Sequence, residues 1–138
     1  MRQALRLKRL RYRGTVVAGP LADCWAAPAP RAGDPWRRVE FLACDGEMSS
    51  LDPAGGELLS LGWVPVRDGA ALLGDSGHRV LRPARGVGQS AVIHALRDVD
   101  VATGAAPAAV LAAFLRAARG RVLVFHHARL DMAFLDRL

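Results

Sequence analysis

The sequence predicts an α/β domain built on a mixed sheet, and three observations carry that prediction. Residues 38 to 81 hold three short apolar runs separated by turn signals, the pattern of an antiparallel meander. Residues 106 to 120, "APAAVLAAFLRAARG", form the clearest helical pattern in the chain. That helix leads at once into "RVLVF", which reads as a fully buried strand. A strand reached through a helical crossover is usually laid parallel to one already in the sheet. The order along the chain is βββαβα. At 138 residues, 51% of them apolar, there is room for one domain with a sizeable core.

Each element has its own justification. Residues 1–13 carry six basic residues, no acidic one, and leucines at 5, 7 and 10. They read as a solvated arm, with a phosphate-contacting or partner-docking arm as the alternative. Residues 19–35, "GPLADCWAAPAPRAGDP", are rich in Ala, Pro and Gly and read as a linker that Trp25 and Trp36 tie to the domain surface. The expected division is therefore an arm and linker over 1–37 and the domain over 38–138. "RVEFLACD" is a buried strand ending in a carboxylate, and "SSLDPAGG" is a loop by composition. "ELLSLGWVPV" is a second strand, and "RDG" (67–69) turns tightly into a third, "AALL", continued near "HRVL". "RPARGVGQS" is loop again. In the crossover helix Pro107 suits the first turn, and Val110, Leu111, Phe114 and Leu115 make its apolar face. Arg116 and Arg119 suit its end and Gly120 its termination. After "RVLVF", Leu130, Phe134, Leu135 and Leu138 keep helical spacing.

Charge and cysteine use narrow the function classes. The formal net charge is +6, and residues 1–40 account for all of it with nine basic and three acidic residues. Residues 41–138 hold ten of each, so the body is neutral and a uniformly basic nucleic-acid coat is excluded. Cys24 and Cys44 cannot make a disulfide framework or a four-cysteine metal site, and Cys44 reads as a buried free thiol. The longest uncharged stretch, 101–115, contains Thr103, Gly104 and Pro107, so no membrane span is expected. The expected location is cytoplasmic.

The candidate chemistry lies at two places. Asp45-Gly46-Glu47 closes the first strand, where residues two apart face the same side and aim both carboxylates at one point. Two carboxylates together ionise with difficulty unless a cation offsets them, and Mg²⁺ favours carboxylates plus water. Asp98 and Asp100 form a similar pair, read as a solvated loop. The second place is "FHHARLD", where Asp131 lies one turn into the last helix. If the first and fourth strands are neighbours, Asp131 joins Asp45 and Glu47, a set suited to two ions about 3.5–4 Å apart. His126 and His127 read as a strand-end pair, one packed and one capping the helix, and zinc is disfavoured because no cysteine lies at usable spacing.

"FLACDGEMSSLDPAGGELLSLGWVPVRDG" closely resembles the first motif and hairpin of the DEDDh 3′–5′ exonucleases, the group that includes the DNA polymerase III epsilon proofreading subunit. "VIHALRDVDVATGAAP" resembles that family's Ile-His-Gly-Ile-Thr stretch, and "GRVLVFHHARLDMAFLDRL" its second motif. The resemblance runs from about Val39 onward with all elements in order. "Glu-Met-Ser" is also similar to oligoribonuclease, but the "HHARLD" form favours the epsilon-like branch.

The resemblance implies a ribonuclease-H-like fold and a Mg²⁺- or Mn²⁺-dependent exonuclease acting on single-stranded DNA or RNA 3′ ends, with a DNA polymerase subunit as a possible partner. It implies that Asp45 bridges both metals, Glu47 holds one, and Asp131 serves the second. Gly46, Met48 and Ser49 would line the pocket for the 3′-terminal nucleotide, and His127 stands where the family has Asn. Ser50 departs from the usual Gly, and Ala95 and Arg97 from Gly and Thr. The family's third motif, a His and an Asp on a late helix, has no counterpart after Asp131 in these 138 residues. The implied general base is thus missing, which is worth about 10²–10⁴-fold in rate. The expectation is an exonuclease domain cut short, inactive or very weak alone. A non-catalytic nucleic-acid- or polymerase-binding module on a degenerate exonuclease fold is the alternative.

Overall fold

The computed structural model describes residues 15–28, 30–82 and 103–138. Its strands are β1 (Phe41–Met48), β2 (Leu58–Arg67), β3 (Ala70–Ala71), β4 (Gly77–Val80) and β5 (Val122–Phe125). Its helices are α1 (Pro20–Ala26), α2 (Pro107–Ala118) and α3 (Ala128–Leu135). The sheet is mixed, in the order β3-β2-β1-β5, with β4 also paired to β2. β1 and β2 are antiparallel, whereas β5 runs parallel to β1 from Phe41 opposite Val122 to Cys44 opposite Phe125. The neighbouring parallel strands expected from the crossover are therefore present.

Local chemistry explains the boundaries. The β2–β3 turn places Asp68 at φ 51° and Gly69 at φ 79°, the two left-handed positions of a tight hairpin that an Asp-Gly pair supplies. Pro107 opens α2 in its first turn, and Gly120 follows the helix end at φ 73°. The expected third strand is divided in two by a 3-10 turn at Leu73–Asp75, and both halves pair with β2.

Two boundaries differ from expectation. Residues 20–26 form a helix inside the stretch read as linker, because Pro20 suits a first turn and the run after it is compatible with helix. The helix is fixed to α2 by the Cys24 thiol, which donates to the Leu115 carbonyl at 2.8 Å. Strand β1 also continues past Asp45 to Met48, so the acidic pair lies within the strand rather than at its end. Of the expected tryptophan anchors, Trp25 is half-buried. Trp36 is mostly exposed, lies close against Gly69, and takes the Arg37 guanidinium over its ring at 4.4 Å. The basic arm over 1–13, together with His94, Ala95, Arg97, Asp98 and Asp100, lies outside the described residues.

Strand alternation divides the sheet into two unlike faces. Leu42 and Cys44 of β1, with Leu61 and Trp63 of β2, face α2, whose Val110 and Phe114 are buried against them. Phe114 meets the Trp63 ring edge-on, with centroids 6.0 Å apart. On the opposite face, β1 presents Phe41, Ala43, Asp45 and Glu47, and the paired Val122 and Val124 of β5 are 37% and 46% exposed. Below the sheet, Glu40 joins its parts by accepting from Arg67 Nε at 2.9 Å and Arg121 Nε at 3.0 Å.

Candidate functional site at the ends of β1 and β5

The site is generated by unequal strand lengths. β5 stops opposite Cys44, while β1 continues through Asp45, Gly46, Glu47 and Met48. Beside those residues the first turn of α3 brings Asp131 to Gly46. The His127 carbonyl accepts from the Leu130 and Asp131 N–H groups, and this starts the helix and sets Asp131 in its first turn. Phe134, three residues on, is 2% exposed and abuts Gly56 of the loop after β1, which anchors the helix from its other side.

Asp131 is itself 5% exposed, one of two buried polar residues among those described. Its Oδ1 lies 3.4 Å from where a Cβ on Gly46 would stand, an ordinary contact, whereas Leu58 and Met48 come within 3.0 Å of that point. Burial pushes the Asp131 carboxyl above its ordinary value, and the neighbouring Asp45 charge adds to the rise. Hydrogen bonds from the Gly46 and Asp131 backbone N–H groups and the nearby His127 act the other way. The thiol of Cys44, one residue before Asp45, is pushed up to about 12 by burial and then by Asp131. It is buried and free, as the sequence implied.

The fold therefore brings Asp131 to Gly46 and Asp45, and it leaves Asp45 exposed and Glu47 half-buried on one face of β1. The hard oxygen donors suit Mg²⁺ or Mn²⁺, and a carboxyl raised by burial, with the Asp45 charge adding to it, is one that a cation would relieve. The arrangement is nevertheless not a closed cage. Among the described residues, no group of three or more His, Cys, Asp and Glu side chains is placed to hold a metal ion. Asp131 accepts from the Gly46 N–H at the edge of β1 that β5 leaves open.

The expected pocket residues are placed as follows. Met48 is buried in the core cluster, and Ser49 clasps the following loop: its N–H donates to the Glu57 carbonyl and its Oγ accepts the Glu57 N–H, both at 2.9 Å. Contrary to expectation neither histidine is packed: His126 and His127 are both exposed, and His127, at the α3 N-cap position, makes no side-chain capping hydrogen bond. One neighbour of the site could not be read from spacing. Across β2, Asp45 pairs with Gly62 and Gly62 with His78 of β4, and these residues border an open groove of about 510 Å³. Only the strand register reveals that alignment.

No protein-family model matches the chain. Over 108 residues, 77% of its length, the chain is 32% identical to a DNA polymerase III subunit epsilon-like protein of Rhodobacter capsulatus. The chain spans 15% of that relative's length. The fold is similar to that of exonuclease I in its product-bound form, with a TM-score of 0.60 and 15% identity over 71% of this chain and 24% of that one. It is also similar to an ExoI/SSB-Ct complex (TM-score 0.60, 15% identity, 71% of this chain and 23% of that one). A metal-free E. coli ExoI–ssDNA complex gives 0.59 at 14% identity, covering 70% of this chain and 22% of that one.

The fold is thus a mixed α/β domain of ribonuclease-H-like architecture. Over most of its own length the chain resembles a DNA polymerase III epsilon-like protein, in keeping with the motifs of its sequence. No helix among the described residues is long and apolar enough to cross a membrane.

Proposed function

We propose that this chain is part of a metal-dependent 3′–5′ exonuclease that hydrolyses phosphodiester bonds at single-stranded DNA or RNA 3′ ends, of the proofreading or repair type. Asp45, Glu47 and Asp131 would hold Mg²⁺ or Mn²⁺, which when bound would polarise the scissile phosphate and activate water. The single observation that carries the reading is Asp131, buried against Gly46 and beside Asp45 where parallel β1 and β5 end. Gly46, Met48, Ser49 and His127 border the same strand end, where the family resemblance sets the 3′-terminal nucleotide. A cytoplasmic location and a polymerase subunit as partner accompany this reading. These 138 residues supply no histidine after Asp131 to act as general base, so the chain alone should be inactive or very weak.

The test has two arms. Mn²⁺ titrated into the purified chain should raise its melting temperature, by an amount equivalent to about 2.7 kcal/mol at a hundredfold excess over Kd. The rise should disappear in Asp45→Asn and Asp131→Asn, and its absence from the wild type would remove the metal site. Incubation with Mn²⁺ and a 3′-labelled single-stranded oligonucleotide should give little or no degradation. Robust degradation would show that the residues present suffice. A second reading, a non-catalytic nucleic-acid- or polymerase-binding module, is favoured by the lack of a three-donor group among the described residues. It predicts oligonucleotide binding without any effect of Mn²⁺ on stability.

A further inference from the structure

We propose that the groove between Asp45 and His78 is the track for the substrate strand, with Gly62 as its floor and His78 as a residue positioning the strand backbone. This inference rests on the exonuclease reading above. Asp45, Gly62 and His78 stand in register on three adjacent strands. Strands lie about 4.8 Å apart, so the Asp45 and His78 backbones are about 10 Å apart with no side chain between them.

Gly62 is the telling residue. A glycine in the interior of a strand weakens it, so it normally answers to a packing or backbone demand. Gly77, its neighbour on β4, has such a demand: a Cβ there would collide with the Trp63 ring. Gly46 has one too, since a Cβ would stand 3.0 Å from both Leu58 and Met48. Gly62 has none. Its backbone is not left-handed, and a Cβ would find only Asp45 O and His78 Cδ2 at 3.8 Å and Gly77 O at 4.0 Å, ordinary contacts. What an added side chain would obstruct is the groove itself. At about 510 Å³, the groove falls within the 300–1,000 Å³ typical of ligand sites.

His78 supplies the polar wall. It is exposed, and among the described residues its imidazole makes no hydrogen bond, while its carbonyl accepts from Arg79 at 2.8 Å. A strand whose terminal phosphate lies at Asp45 runs over Gly62, and its next sugar or phosphate comes within reach of the His78 ring. Phosphate and sugar contacts of this kind fix the register of a strand without reading its sequence.

The experiment measures binding of a 5′-fluorescein-labelled, ten-nucleotide single strand by anisotropy in Ca²⁺ buffer, on the full 138-residue chain. Gly62→Val should weaken binding at least tenfold while the melting temperature holds or rises, because valine suits a strand interior. His78→Ala should weaken it about three- to tenfold with an unchanged melting temperature, and His78→Lys, which keeps a phosphate donor, should recover most of the loss. Wild-type binding that survives unchanged in both Gly62→Val and His78→Ala would overturn the track and leave the exonuclease reading standing. Failure of the wild type to bind any single strand would overturn both.

Discussion

Replacing Asp131 by asparagine should make the folded chain more stable at neutral pH, although it removes a proposed metal donor. The wild-type carboxyl is 5% exposed, and burial followed by the Asp45 charge holds it above its ordinary value, against the two backbone hydrogen bonds and His127. The folded state thus binds this proton more tightly than the unfolded chain does. Stability is greatest below the ordinary value of 3.8 and is lost as pH rises through the higher folded one. At pH 7 the charge is a standing cost. Asparagine keeps the shape and the Oδ1 acceptor for the Gly46 N–H but carries no charge. The gain should be about 0.5–2 kcal/mol, the usual size of a single stabilising change. For a chain of this length that is roughly 2–8 °C in Tm. Thermal melts without divalent ions, at pH 7 and at about pH 3.5, are the assay. The variant should lead at pH 7, and the gap should close in acid as the wild type takes up its proton. A less stable variant at pH 7, or a gap indifferent to pH, would refute the argument that this carboxylate is strained by burial beside Asp45.

Three further outcomes are expected. Glu40→Gln should cost about 0.5–1 kcal/mol at pH 7 in denaturant titrations, the scale of partly exposed ion pairs. The Arg67 hydrogen bond, aided by Arg121, holds the Glu40 carboxyl below its ordinary 4.5 against partial burial, so this contribution exists above that value and fades as pH falls through the lower folded one. Gly77→Ala should destabilise by about 1–3 kcal/mol, because the new methyl meets the Trp63 ring, and a Trp63→Leu background should relieve much of the loss. Iodoacetamide at pH 8 should leave Cys44 unmodified in the folded chain, since burial pushes its thiol to about 12, and mass spectrometry after denaturation should find it reactive.

Much of the architecture was legible where one local rule acts alone. Asp68-Gly69 named its hairpin, Pro107 and Gly120 bracketed α2, and the crossover fixed β5 as parallel to a neighbour. The helix at Pro20–Ala26 was hidden because Ala, Pro and Gly together resemble a linker, and only its contact with Leu115 shows what holds it. The reach of β1 was underestimated because charge at 45 and 47 ended the apolar run, although pairing to β2 carries the strand to Met48. For the candidate site, the acid-x-acid spacing and the turn carrying Asp131 were readable. That Ser49 serves its loop, that Met48 serves the core, and that His78 aligns with Asp45 depend on pairing register, which spacing along one chain does not encode.

The pairing of β1 with two very different partners also sets an order of assembly. β1 and β2 are joined by a short loop, so the strand carrying Asp45 and Glu47 can pair early and locally. β5 meets the same strand only after the chain has passed through the rest of the meander and the crossover helix, a closure of long range and high entropic cost. Asp131 is tied to that late event. Partly folded chains, such as those emerging during synthesis, therefore carry Asp45 and Glu47 on a paired strand before Asp131 arrives beside Gly46.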